Sequence, residues 1–434
     1  MIAFARKLLR HPARAVLLLG CAAALAGAAK WPATAVSVRP LWKFTGGADG
    51  GGSGAALIID GAGNLYGTSH KGGANNLGTA FIVPTASQTL TATPIWTFTG
   101  GADGAMPMGA LVRDQHGWLY GTTSGGGAYG GGTVFQLRPP QSGTVWAETT
   151  LYSFNPATDG GSPAAGLIVD SNGNFYGTTG SYGPGGFGTV FELAPSQGQS
   201  SWTETTLWSF SGGADGGNPY ASLLIDTAGN LYGTATHGGT NPVGGLVFEL
   251  SPQTGGAAPW THTVLWNFTG LDGARPAAAL IADKSGNLYG TCAFGGANQR
   301  GTAFELSPPA FGRTSWTETT LLDFAAAAGG FQPFSALLAD STGALFGTTY
   351  GYSPRDFYTA YSTIYRLTPP QAGTTAWTET TLATMVIGDG LSVLAPLIAS
   401  KTGDLFGTAI LGGVAGSSAG FGTVFRVRGT GYTP

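Results

Sequence analysis

Charge is scarce in this chain. Lys, Arg, Asp and Glu make up 9% of the 434 residues, too few to clothe the solvent faces of many long amphipathic helices. Cysteine is nearly absent: of the two, Cys21 falls in the first thirty residues, and Cys292 alone cannot form an intramolecular disulfide. The fold must then hold by packing and ladder hydrogen bonds, with Cys292 expected to be a small buried hydrophobe. The five histidines include no His-x-x-His or His-Glu-x-x-His spacing, and no Gly-Lys-Ser/Thr loop cradles a phosphate. Long apolar runs are missing beyond the N-terminal segment.

Glycine is what the chain has instead, with 75 residues beside a hydrophobic content of 42%. That mixture suits many short strands joined by tight turns, and the supply of Phe, Trp and Tyr is ample for a packed core. The glycines fall in a repeated stretch. Gly229-Asn230-Leu231-Tyr232-Gly233-Thr234 recurs closely at 63–68, 173–178 and 286–291, and more loosely at 116–122, 343–348 and 403–408. The landmark glycines Gly67, Gly121, Gly177, Gly233, Gly290, Gly347 and Gly407 stand 54, 56, 56, 57, 57 and 60 residues apart.

Other residues keep the same register. An aspartate six residues before the motif aromatic (Asp60, Asp114, Asp170, Asp226, Asp283, Asp340) gives way to Ser400 in the last unit. Eleven residues earlier a second aspartate sits in a Gly-rich segment: Asp49, Asp103, Asp159, Asp215, Asp272 and Asp389, with Gly329 in the sixth unit. Each unit offers four strand candidates, which in the third unit are 165–169, 174–178, 189–193 and 203–210. Asp170-Ser171-Asn172-Gly173-Asn174 reads as a hairpin turn in which Asp caps and Gly takes the left-handed position.

Four antiparallel strands per repeat make a propeller blade. The segment Pro40-Leu41-Trp42-Lys43-Phe44 matches a fourth strand, and Gly422-Thr423-Val424-Phe425-Arg426-Val427 matches a third. Pairing the two closes the ring and removes its open edges. The expected fold is all-β, a seven-bladed β-propeller of four-stranded antiparallel blades over residues 30–434, monomeric, with a β-solenoid as the alternative.

Residues 1–29 read as a secretory signal peptide: Arg6, Lys7, Arg10 and Arg14 precede the apolar run 15–25 and the small residues Ala26-Gly27-Ala28-Ala29. Two other readings stand beside it. One is an uncleaved anchor, for which the run falls short of the roughly 20 residues a span needs. The other takes Leu18-Leu19-Gly20-Cys21 as a lipoprotein box with Cys21 lipidated. Removing four cations from a chain of net charge −3 leaves −7, which argues against nucleic acid as a partner. No membrane span is expected in the mature chain.

The units Asp-x-x-Gly-Asn-Leu-Tyr-Gly-Thr-Thr, Gly-Thr-Val-Phe-Glu-Leu and Trp-Thr-Glu-Thr-Thr-Leu-Tyr-Ser-Phe resemble the GloVer tandem-repeat proteins, exported bacterial proteins also described as choice-of-anchor. The likeness covers nearly all of the chain after residue 29. It implies secretion or a cell-surface location and often a C-terminal sorting tail, whereas Tyr432-Thr433-Pro434 follows no apolar tail here. It brings no reaction and no catalytic residues.

Function is expected on the face carrying the fourth-to-first and second-to-third connections. The six aspartates there (49, 103, 159, 215, 272 and 389) are weak cation candidates, calcium included, although calcium needs about six to eight oxygens. A repeated residue is more simply explained by a repeated turn. Glu148, Glu204, Glu318 and Glu379 are expected to face solvent from the outermost strand, and Trp146, Trp202, Trp260, Trp316 and Trp377 to pack blades or cover the rim. His70 and His237 fall in rim loops, His116 in a hairpin on the other face and His262 in an outer strand.

Breaks in the repeat are better candidates, because an asymmetric ligand needs an asymmetric site. The step from the motif aromatic to the next strand's aromatic is 15 or 16 residues in five units but 19 in the last two. The sixth-unit insertion supplies Tyr350, Tyr352, Arg355, Asp356 and Tyr358, and Arg275, Arg300 and His237 reach the same rim. The sequence thus points to a non-enzymatic module binding a glycan or a protein at one rim. A polysaccharide lyase or hydrolase working in the central channel, and a purely structural envelope protein, are the alternatives.

Overall fold

The computed structural model describes residues 35–434 apart from 87–89, 197–200, 254–259, 311–314, 326–329, 352–360, 372–373, 375 and 414–419. Val36–Pro434 build a ring of seven four-stranded antiparallel sheets. Blade 3 shows the common pattern, running from the channel outward as Ile168–Val169, Phe175–Thr179, Thr189–Pro195 and Trp202–Ser209. Its innermost strand is shorter than the expected 165–169, because the chain there passes the channel before it pairs. The first strand closes the last blade: Ser37–Lys43 pairs with Thr423–Arg428 and completes blade 7. This is the closure expected from the chain ends.

The repeated stretch forms the second strand, and each of its residues has a distinct task. Leu65 and Tyr66 point to opposite sides of their sheet, into different inter-blade cores. The glycine between tyrosine and threonine lets an aromatic from the third strand lie against the backbone: a Cβ at Gly177 would come 2.6 Å from Phe191 Cζ. The threonine hydroxyl reaches the next blade, as when Thr178 Oγ1 donates to the Ala221 carbonyl at 3.2 Å and Thr122 Oγ1 to that of Ala165 at 2.9 Å. The last such bond closes the circle from Thr408 to Ala55 at 2.9 Å.

Aromatic pairs repeat the same stitching. At six of the seven junctions the phenylalanine just past the outermost strand packs on the third-strand aromatic of the following blade, as in Phe98 with Phe135 (centroids 5.0 Å apart) and Phe210 with Phe248 (5.2 Å), and Met385 takes its place in the sixth unit. A β-bulge in every outermost pairing makes this possible. In blade 3 the bulge leaves Leu207 without a partner and turns it into the core, where it is 1% exposed. The recurring tryptophans are blade packing: Trp146, Trp260, Trp316 and Trp377 lie 6.1–6.5 Å from the motif tyrosine of the preceding blade.

At the junction of blades 6 and 7 that position holds Val36 instead of tryptophan, and Tyr432 takes the place. Its ring meets Phe346 at 5.3 Å, and its hydroxyl donates to the Ala339 carbonyl at 3.2 Å. Cys292 is fully buried in the blade 4–5 core, as expected of a small hydrophobe. Among the described residues no helix is long and apolar enough to cross a membrane.

Candidate functional site

Two faces follow from this topology. The hairpin face carries the first-to-second turns, where the aspartate caps as expected: Asp170 Oδ1 accepts the N–H groups of Asn172 at 2.8 Å and Asn174 at 2.9 Å. Gly173 in this turn has φ +87°, a left-handed conformation costly for a residue with a Cβ. The loop face carries the second-to-third and fourth-to-first connections and opens onto the central channel.

On the loop face the second set of aspartates is turned inward on its own loops. Asp272 accepts from Trp266 Nε1 at 2.9 Å, Thr269 N at 2.8 Å and Thr269 Oγ1 at 2.7 Å. Asp49 holds Trp42 and Thr45 in the same way, Asp103 holds Trp96 and Thr99, and Asp215 holds Ser211. Asp159 receives the Tyr152 hydroxyl at 2.5 Å, while Asp389 has only the Val386 N–H at 3.5 Å. In the first five units these carboxylates are thus occupied by donors of their own loops. Among the described residues no three His, Cys, Asp or Glu side chains gather as a metal site would need.

Three residues beyond each aspartate the chain takes an unusual conformation. Met106, Ser162, Asn218, Arg275, Gln332 and Ser392 all have φ between 54° and 61°, and Gly52 completes the ring at 64°. Proline follows five of them, at 107, 163, 219, 276 and 333, which makes this conformation more restricted still. The reason is inter-blade bonding. Met106 N–H donates to the Leu77 carbonyl, Asn218 N–H to that of Phe187 and Arg275 N–H to that of Gly244, at 2.7–2.8 Å. The left-handed turn aims each N–H at the preceding blade and leaves its side chain among the loops of that face, where Asn218 Nδ2 donates to the Gly180 carbonyl at 2.8 Å and Arg275 lies by Phe294. These side chains differ from unit to unit while the backbone does not, so the ring is a fixed frame with a variable lining.

One arc of that frame collects the predicted site residues. Arg275 places its guanidinium 5.3 Å from the Phe294 ring centroid. Phe294 meets Phe334 at 6.0 Å, and Phe334 meets Tyr350 at 5.8 Å, both edge-on at 84°. Arg300 lies over Phe331 at 5.1 Å, and Tyr350 N–H donates to the Gln332 carbonyl at 3.0 Å. His237 stands near Arg275; partial burial, then that cation, lower its pKa. Arg275, Arg300, Tyr350 and His237 therefore share one arc across units 4 to 6. Tyr352, Arg355, Asp356 and Tyr358 lie outside the described residues.

On the same face units 2 and 4 add exposed apolar side chains: Met106, Met108 and Tyr220 are 41%, 46% and 42% accessible. Below them the channel narrows to a cavity of about 130 Å³ lined mainly by alanine and glycine, with Tyr220 and Ser222 the hydroxyl-bearing members. The described lining supplies no carboxylate, imidazole or ammonium group to act as acid or base there.

The strand glutamates differ from expectation. Glu148, Glu204 and Glu318 do not face solvent; they are half-buried between blades, and each takes a hydrogen bond from a threonine two residues on at 2.9–3.0 Å. Loss of solvation pushes Glu148 up to about 6 and Glu204 and Glu318 to about 7. In blade 4 the same position holds His262, stacked 4.8 Å from Trp208 and pushed down by burial to about 4. The outermost strand's inner face is covered by the preceding blade, which a strand pattern alone does not reveal. His70 lies on the loop face beside Gly52, and His116 is in a hairpin turn as expected.

Sequence reasoning passed over the ring of left-handed residues. The signal was present in the proline that recurs four residues after Asp103, Asp159, Asp215 and Asp272. It also passed over Gly416-Ser417-Ser418-Ala419-Gly420, which has the Gly-x-Ser-x-Gly spacing of a nucleophile turn; residues 414–419 lie outside those described.

The sequence profile of the Gloeobacter/Verrucomicrobia repeat matches residues 28–167, 142–283 and 261–433. Among curated proteins no relative matches. Solved structures share the fold at low identity. One is an ulvan lyase, a polysaccharide lyase bound to -[GlcA(1-4)Rha3S]-, at TM-score 0.52 and 12% identity over 89% of this chain and 95% of that one. Another is PorZ, a surface component of the type-IX secretion system of Porphyromonas gingivalis, at TM-score 0.50 and 14% identity over 87% of this chain. The alignment spans 47% of PorZ, and at these identities the likeness is one of architecture alone.

Proposed function

The chain belongs to the Gloeobacter/Verrucomicrobia repeat family, and we propose that this protein is an exported, non-catalytic β-propeller that binds a protein partner across the channel mouth of its loop face. The observation that carries the reading is the composition of the mouth. Arg275, Phe294, Phe334 and Tyr350 lie in units 5 and 6, with exposed Tyr220 beside them in unit 4 and exposed Met106 and Met108 in unit 2. Arg, Met and aromatic residues without free carboxylates are the set enriched at the centres of protein interfaces. A glycan alone would leave the methionines without purpose. The narrow bore, lined mainly by alanine and glycine and without a carboxylate or imidazole among its described residues, favours binding over the lyase or hydrolase alternative. Export rests on the residues 1–29 that read as a leader.

A photo-crosslinking residue placed at Met108 tests the assignment. In cells it should trap a discrete partner, whereas the same residue at Val145, exposed in a third-to-fourth connection of blade 2, should not. Equal yields at both positions, or none at Met108, would refute the loop-face site. N-terminal sequencing of the exported protein should begin near Lys30.

A further inference from the structure

The second unit breaks the repeat at four positions that meet on the hairpin face. Blades 1, 3, 4 and 5 carry Asn64, Asn174, Asn230 and Asn287, each bonded through its amide to the hairpin aspartate. The second unit has Trp118 there. Where blades 3 to 5 have Glu192, Glu249 and Glu305 on the third strand, it has Gln136; two residues on, where blades 4 and 5 have Ser251 and Ser307, it has Arg138. The turn itself carries His116. Antiparallel pairing of Leu119 with Leu137 sets Trp118 beside Arg138 across the strands.

These replacements act together. The Arg138 guanidinium lies 4.3 Å from the Trp118 ring centroid, and His116 meets the same indole at 5.5 Å. Arg138 Nε donates to Gln136 Oε1 at 2.6 Å, Gln136 Nε2 donates to the Tyr120 hydroxyl at 2.9 Å, and that hydroxyl donates to Asp114 at 3.2 Å. The chain of bonds fixes the guanidinium without neutralising it. Both ion pairs among the described residues belong to Asp404, with Arg426 and Arg428. Asp114 and Asp170 turn an oxygen onto the N–H groups of their own hairpins.

Two hollows flank this cluster and share Trp202 as a wall. One, of about 430 Å³, lies between the hairpins of blades 2 and 3 and is lined by Arg113, His116 and Trp118 together with the hairpin carboxylates Asp114 and Asp170. The other, of about 230 Å³, lies further out along Gln136, Arg138 and Thr150. Together they form a groove with indole walls, amide and imidazole hydrogen-bonding groups, and a guanidinium lacking a carboxylate partner.

We propose that this groove binds an anionic saccharide, with sugar rings against Trp118 and Trp202 and a carboxylate or sulfate on Arg138. Indole faces beside planar donors fit the apolar ring face and the hydroxyls of a sugar. The exchange of the repeated glutamate for Gln136 and the addition of Arg138 select a negative substituent, since guanidinium pairs with planar anions through two bonds at once. The site is on the opposite face from the channel mouth and does not depend on the loop-face reading.

Affinity electrophoresis through gels containing polygalacturonate, sulfated dextran or neutral dextran tests it. The wild-type protein should be retarded by at least one anionic polymer and not by neutral dextran, and the polymer that acts identifies carboxylate or sulfate as the anion. Trp118→Asn and Arg138→Ser install residues that other blades already hold at these positions, so melting curves should stay close to wild type. Each should weaken retardation by about ten-fold, the loss of one charge-assisted contact, while Arg275→Ala on the loop face should leave it unchanged. Absence of retardation by both anionic polymers, equal retardation by neutral dextran, or wild-type retardation of the Trp118→Asn, Arg138→Ser double variant would overturn the proposal.

Discussion

Single residues reveal where the repeat is under tension. Tyr365 occupies the buried position held by Phe81, Phe135, Phe191, Phe248, Phe304 and Phe425 in the other blades, and its hydroxyl has no hydrogen-bond partner. A buried hydroxyl left unpaired costs about 1–3 kcal/mol. Tyr365→Phe should therefore stabilise the protein by about 1 kcal/mol or more, read as a raised denaturant midpoint at unchanged slope. The half-buried glutamates make a prediction with a sign. Burial raises Glu204 from 4.5 to about 7, so the folded state binds its proton more tightly than the unfolded chain does. Stability should fall as pH rises through that interval, and Glu204→Gln should flatten the fall between pH 4.5 and about 7. His262, lowered from 6.5 to about 4, works the other way and weakens the fold as pH falls through its own interval. Melting temperature against pH for Glu204→Gln and wild type separates the two. None of this was legible in the sequence, because a glutamate in an outer strand reads as a solvent residue until the neighbouring blade is placed over it.

At the scale of the element, the second strand shows how one short motif sets both a blade and its junction with the next. Its glycine admits the third-strand aromatic, and its threonine reaches forward to the following blade. The motif, the hairpin chemistry and the opposite facing of Leu and Tyr were readable because they obey strand period and turn rules. The threonine's task was not, since its acceptor lies about 44 residues away, as from Thr234 to Ala278. Thr234→Val keeps the shape but leaves the Ala278 carbonyl unpaired in a buried site, and should destabilise the protein by about 1–3 kcal/mol. Hydrogen exchange should report faster opening of the inner strands of blades 4 and 5 than of blade 1. Uniform acceleration would deny the threonine a local joining role.

On the scale of the whole molecule, seven near-identical blades make a frame whose symmetry offers no preferred place for an asymmetric ligand. Blade number and closure could be read from spacing and from the strands at the two ends, because both are counts along the chain. The faces could not be populated so well. Arg275, Arg300, Tyr350 and His237 were recognised as departures from the repeat, and the ring brings them onto one arc. Met106 and Met108 escaped notice because nothing local marks a methionine as exposed; Met106 belongs to the left-handed ring, and Met108, two residues on, lines the channel cavity. The central claim is that the frame supplies stability and the irregular residues at the mouth supply recognition. The direct test measures both properties in one variant, Arg275→Ala with Tyr350→Ala, by thermal melting and by capture of the partner from the photo-crosslinking residue at Met108. The account predicts a melting temperature within a few degrees of wild type, since substitutions away from packed features rarely exceed about 0.5 kcal/mol each, together with at least about a ten-fold loss of capture. Capture at the wild-type level, or a loss no greater than the fall in folded protein, would contradict it.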